Sequence, residues 1–292
     1  MKTGRTSRLS GALLQAAALQ ALVLLASALL LNGCGSVSSL LFYPMQDYIR
    51  TPLQLGLAYQ DVSLHTEDGV QLFGWYLPPQ GKVRGNLLYL HGNGENISTH
   101  VRSVAWLPEQ GYGVLALDYR GYGRSEGVPK LPDVFLDLAA ASDWLFSHTQ
   151  PPYYLLGQSL GGALAVGFSD NPRAQQYSAL LLDAPFGRYQ DIARHALSHN
   201  RFSRWFLSPA ARLLPDAYDP IDKIRASRIP TLFYASPNDR IVPLAHTEAL
   251  YLAAPGPKQL SLHQGRHIAT FADPSQRLRT LTFLKRYRPK PE

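Results

Sequence analysis

The chain predicts an α/β fold with a mostly parallel central sheet and helices on both faces. Three observations carry that expectation. Apolar runs of strand length alternate with segments of helical period from residue 58 to residue 287. One such run, Tyr153-Tyr154-Leu155-Leu156, leads straight into Gly157-Gln158-Ser159-Leu160-Gly161, and a helix-like stretch rich in small residues follows. The polar motifs all fall at the carboxyl ends of expected strands, where such sheets bind ligands.

The elements follow in order. Strands are expected over 58–65 and 70–77, joined through Glu67-Asp68-Gly69, because Asp-Gly between β-like runs favours a tight hairpin. A buried strand follows at 86–90, then a loop, a helix over roughly 98–108 and a strand at 113–117. Residues 132–147 repeat Val134, Leu136, Leu138, Ala141, Trp144 and Leu145 with helical spacing. Beyond the Ser159 segment come strands at 178–183, 230–235 and 258–263 and helices at 243–253 and 274–287. Residues 186–222 interrupt the alternation and read as a small helical insertion, or cap, over the site.

Strand, tight turn and helix around a central Ser is the setting in which Gly-x-Ser-x-Gly carries chemistry. The turn strains the backbone at Ser159, and Gly157 and Gly161 make room for it. A serine needs a base to take its proton and a third group to orient the base. The His residues after Ser159 are His195, His199, His246, His263 and His267. His267, in the loop after the last strand, is the expected base; His263, within the strand run, is its rival. The acid is expected after a late strand, at Asp239 in Ser236-Pro237-Asn238-Asp239, with Asp183 as the alternative. The oxyanion is expected to meet the backbone amides of Leu160 and of Asn93, in His91-Gly92-Asn93-Gly94. His91 reads as a brace for that loop. The loop Asp118 to Gly127 does not lead directly into a helix as a dinucleotide fingerprint does; it is expected to shape the pocket wall and hold residues 91–94.

The 292 residues carry a formal net charge of +7, of which Lys2, Arg5 and Arg8 supply three. No dense basic block with interleaved aromatics occurs, so nucleic acid is not an expected partner. The basic start and the apolar run 11–31 read as a signal peptide over 1–33. Leu31-Asn32-Gly33-Cys34 resembles the bacterial lipobox, which makes Cys34, the single cysteine, the expected lipidation site and membrane lipid an expected partner. The alternative is an uncleaved membrane anchor. Residues 34–56 read as a lipid-anchored linker and collar whose apolar 40–43 packs on the body or lies near lipid.

Ser159, Asp239 and His267 in that order, together with His91-Gly92-Asn93-Gly94 and Asp118-Tyr119-Arg120-Gly121-Tyr122-Gly123, resemble the α/β-hydrolase superfamily. Leu41-Phe42-Tyr43-Pro44, Asp68-Gly69 and Gly74-Trp75 narrow the resemblance to membrane-associated hydrolases of the ABHD type and their bacterial lipoprotein relatives. It spans roughly residues 40–288, and the hydrolase domain is expected over 57–288 with the cap-like insertion at 186–222. The resemblance implies a serine hydrolase acting on carboxylic esters or thioesters, a small-molecule or acylated substrate, and no cofactor or metal. Gly35 after the cysteine favours, by resemblance to lipoprotein sorting in enterobacteria, outer-membrane delivery in the bacterial envelope, facing the periplasm. A serine peptidase on the same fold and a non-catalytic envelope lipoprotein remain alternatives.

Overall fold

The computed structural model describes residues 37–198 and 208–289. The signal segment 1–33, Cys34 and the middle of the insertion, 199–207, lie outside the described residues. Among the described residues no helix is long and apolar enough to cross a membrane.

Eight strands form one sheet in the order β1-β2-β4-β3-β5-β6-β7-β8. They are β1 (Gln60–His65), β2 (Gln71–Leu77), β3 (Gly85–Leu90), β4 (Tyr112–Asp118), β5 (Tyr153–Gln158), β6 (Tyr177–Asp183), β7 (Thr231–Ala235) and β8 (Lys258–Leu262). The first hairpin is antiparallel, as is the β2–β4 pairing, and every pairing from β4 to β8 is parallel. The Asp68-Gly69 turn closes the hairpin, with Gly69 at φ 82° and its amide bonded to the Thr66 carbonyl.

The central strands are buried along their whole length, which is why they read as continuous apolar runs. The pleat divides their side chains between two layers. Leu88, Leu90, Leu115, Leu117 and Leu155 pack into one core. Leu87, Tyr89, Val114, Ala116 and Leu156 pack into the other. Helices cover both faces: α1 (Ile97–His100), α2 (Val134–His148), α3 (Leu160–Gly167), α4 (Tyr189–Ser198), α5 (Pro220–Lys223), α6 (Leu244–Ala253) and α7 (Pro274–Arg286).

Two regions differ from the reading of the sequence. The helix expected over 98–108 is a single α turn, α1, capped by the Asn96 side chain; 3-10 turns at Val101–Ser103 and Pro108–Gln110 continue the path. Ile97, Val101, Val104 and Leu107 are fully buried at helical spacing, but the chain tightens as it packs onto the sheet. Residues 37–43, part of the expected collar, are a strap built into the body. Phe42 is 5% exposed and joins the core of Tyr119, Tyr122 and Leu131, and the Leu131 amide donates to Ser38 Oγ (3.0 Å). The described helical parts of the insertion are α4, a 3-10 turn at Ser208–Leu213 and α5, with residues 214–219 in turns, bends and irregular backbone between the last two.

Candidate active site

Ser159 sits between the end of β5 and the first residue of α3 with φ 53° and ψ −113°. That left-handed backbone is costly for a residue with a Cβ and persists only where the surroundings enforce it. They do so here. A Cβ at Gly157 would overlap the Gly161 carbonyl, and one at Gly161 would overlap the Leu90 carbonyl. The Ser159 amide donates to the Asp183 carbonyl (2.8 Å), tying the turn to the end of β6.

Asp239 and His267 come from the loops after β7 and β8. Nδ1 of His267 lies 2.7 Å from Oδ2 of Asp239. The other carboxylate oxygen accepts from the amides of Ile241 (2.8 Å) and Val242 (3.0 Å), so the carboxylate is fixed in orientation. Burial raises the Asp239 pKa, but the His267 hydrogen bond and charge and the two amides outweigh it and hold the group below the usual carboxylate value. The two loops are stapled together. Ser236 Oγ donates to the Gly265 carbonyl (2.6 Å), and Asn238 Nδ2 donates to the Gln264 carbonyl (2.9 Å). With Nδ1–H committed to the carboxylate, Nε2 carries the lone pair a general base needs. Among the described residues no hydrogen bond joins Ser159 Oγ to His267, a contact that in such sites often tightens only with substrate bound.

The rivals have other partners. The Gly265 amide donates to His263 Nδ1 (3.1 Å), and His263 Nε2 lies 2.9 Å from Thr270 Oγ1. Thr270 donates to Asp183 Oδ1 (2.6 Å), and Gln158 Nε2 donates to Asp183 Oδ2 (2.7 Å). Tyr89 Oη donates to the side-chain oxygen Oε1 of Gln158. Asp183 and His263 therefore belong to one buried chain of hydrogen bonds behind the turn, with burial raising the Asp183 pKa. Thr270 and Tyr89 escaped the sequence reading; both are ordinary residue types whose partners lie far along the chain.

In front of Ser159 opens a cavity of about 750 Å³. Ser159, Leu160, Asn93 and Gly94 form its polar floor. The rest is lined mainly by apolar residues of the strap, of α4 and of the turn at Ile241 and Val242. Asp239 and His267 line an adjoining hollow that shares Ile241 with it. As the first residue of α3, Leu160 has an amide with no carbonyl one turn behind it.

His91 is fully buried below the loop, its Nδ1 donating to the Gly92 carbonyl (2.7 Å), and burial pushes its pKa down to about 3. It is a neutral brace, packed against Tyr119 and His100. The end of β4 and the loop after it hold residues 91–94, as expected, and reach on to Ile97. Tyr119 donates to the His91 carbonyl, Tyr122 to Asn93 Oδ1 (both 2.9 Å), and Asp118 accepts from the Ile97 amide (2.9 Å). Arg120 anchors that loop to Asp137 (2.7 Å) and to Asp68 of the hairpin turn (2.8 Å). Among the described residues no cluster of metal-ligating side chains occurs.

A family model described as serine aminopeptidase, S33 matches residues 81–220. The protein YfhR of Escherichia coli (strain K12) is 31% identical over 223 residues, covering 73% of this chain and 75% of that protein. The α/β-hydrolase domain-containing protein WAV2 of Arabidopsis thaliana is 30% identical over 265 residues, covering 84% of each chain. The chain belongs to the α/β-hydrolase superfamily. Its fold is shared with the Pyrococcus furiosus esterase Pf2001 at a TM-score of 0.71 and 22% identity, over 85% of this chain and 98% of that one. The acylaminoacyl peptidase of Pyrococcus horikoshii shares it at a TM-score of 0.61 and 15% identity, over 81% and 42%. Solved structures that share this fold are thus named for both esterase and peptidase activity.

Proposed function

We propose that this hydrolase cleaves carboxylic esters or thioesters through an acyl-enzyme on Ser159. The observation that carries the reading is the left-handed Ser159 backbone at the head of α3, on the floor of an apolar cavity. Ser159 Oγ attacks the substrate carbonyl while His267 Nε2 takes its proton. The Asn93 and Leu160 amides receive the oxyanion. Asp239 holds the tautomer and stabilises the imidazolium. His267 then protonates the leaving alcohol or thiol. Water, deprotonated by the same imidazole, releases the acid. Hydrolysis of p-nitrophenyl butyrate by the wild type, lost in Ser159→Ala and in His267→Gln, tests this reading; activity that survives both changes refutes it.

A peptidase reading is favoured by the family model's description. An aminopeptidase needs an acidic group for the free amine, and no Asp or Glu is among the described residues that line the cavity. The ester reading is therefore preferred. Attachment to the bacterial envelope through Cys34 completes the proposal on the sequence pattern alone; mass spectrometry of the mature amino terminus tests it.

A further inference from the structure

The cavity wall nearest the amino terminus is made by a segment that precedes the hydrolase domain expected from the sequence. Leu41, Phe42 and Tyr43 of the strap face the cavity, and Ile192, Ala193 and Ala196 of α4 line it too. One side chain latches the strap. Asn93 Nδ2 donates to the Leu41 carbonyl (2.6 Å), and Asn93 Oδ1 accepts from the Tyr43 amide (3.0 Å). The same oxygen accepts from Tyr122 (2.9 Å). A single carboxamide thus satisfies the carbonyl and the amide on either side of Phe42, while Phe42 anchors the segment in the core. The residue offering an amide to the oxyanion therefore also fixes, through its side chain, the distance from that amide to the strap.

From this we infer that the strap is the specificity wall of the site and that the substrate is an ester or thioester of a straight-chain fatty acid of medium or greater length. Its acyl chain lies along the strap on the α4 side, with the carbonyl at Ser159. The inference rests on the ester-hydrolase reading above. The occupant follows from the wall itself. The lining beyond the floor is mainly apolar and, among the described residues, carries no carboxylate for an amine; the cavity is continuous with Ser159. Its volume of about 750 Å³ far exceeds what an acetyl group fills.

The test is a series of p-nitrophenyl esters from acetate to octanoate. Each buried methylene contributes about 0.8 kcal/mol, so kcat/KM should rise about fourfold per added methylene. Leu41→Trp on the strap and Ala193→Phe on the opposite side should each lower the octanoate-to-acetate ratio by about tenfold or more. Asn93→Asp, which replaces the donor to the Leu41 carbonyl by an acceptor, should lower the same ratio. A strap that is merely structural would reduce all esters alike and leave the ratio unchanged. Using two opposed walls keeps the test valid if one variant folds poorly. Acetate hydrolysis that depends on Ser159 but shows no gain toward octanoate overturns the inference and leaves the hydrolase reading standing. So does a ratio unmoved in both wall variants. Faster cleavage of an aminoacyl p-nitroanilide than of the octanoate overturns the ester reading and the inference together. Hydrolysis that persists in Ser159→Ala overturns both.

Discussion

The two sides of Ser159 are built from opposite chemistry. Behind it, Tyr89, Gln158, Asp183, Thr270 and His263 form a buried polar chain in which each side chain has a partner. In front, the cavity is walled mainly by apolar side chains; beyond the floor at Ser159 and Asn93, Ser39 and Tyr43 are the polar side chains among the described lining residues. A fully satisfied buried network permits one arrangement and resists displacement, because every broken bond leaves a desolvated group. Apolar walls place weaker demands on geometry. The contrast separates the tasks. The back fixes where Oγ and the His267 loop stand, and the front accepts a substrate group by shape and burial.

Changes should divide the same way. The largest effect is expected where the back meets the chemistry. Asp239→Asn turns the His267 tautomer the wrong way and should lower kcat for any ester by about 10⁴-fold, with little change in chain-length preference. Steady-state kinetics over the ester series measures both quantities.

The next effect is pH dependence of stability. Burial pushes the Asp118 carboxyl up to about 7 from an unfolded value of 3.8. The folded state then binds the proton more tightly, so this group's contribution to stability falls as pH rises from about 4 to 7, by about 1.4 kcal/mol per pH unit. Asp239, with its lowered pKa, acts in the opposite sense and only as pH falls below its unfolded value. Denaturation midpoints of the wild type relative to Asp118→Asn should fall as pH rises across that range; His91, held down to about 3 by burial, acts in the opposite sense in both proteins and cancels from the difference. The front wall, which has no carboxylate among its described lining residues, adds no such slope.

Smaller again is Thr270→Val, which keeps the shape but leaves Asp183 Oδ1 and His263 Nε2 without the hydroxyl between them. A loss of roughly 2–3 kcal/mol by chemical denaturation is expected. The front supplies the smallest effect: Ile241→Ser, at a cavity-lining residue that is 59% exposed, should change stability by no more than about 0.5 kcal/mol. A Thr270→Val protein as stable as Ile241→Ser would break the distinction between the two sides.

The same contrast explains what the sequence made legible. Strands β3 to β7 stand out because strands buried on both faces are continuous apolar runs. Ser159, Asp239 and His267 stand out because chain order and strand ends restrict which residues can meet. Thr270, Tyr89 and the latch at Asn93 left no such trace. Thr270 meets Asp183 across 87 positions, and Asn93 meets Leu41 across 52, with no local pattern marking either contact. The strap was ambiguous for a physical reason: an apolar Leu41-Phe42-Tyr43 beside an apolar leader suits a lipid surface as well as a protein core. The short helix after β3 shows the converse case, since helical spacing of buried residues survives in a path made partly of 3-10 turns.

The central claim is that Ser159 is an activated nucleophile. Reaction of the folded protein with a fluorophosphonate, followed by peptide mass spectrometry, tests it most directly. The account predicts one adduct, on the peptide carrying Ser159, formed slowly in His267→Gln and absent in Ser159→Ala. Folded wild-type protein that stays unmodified, or that carries the adduct on another residue, would contradict it.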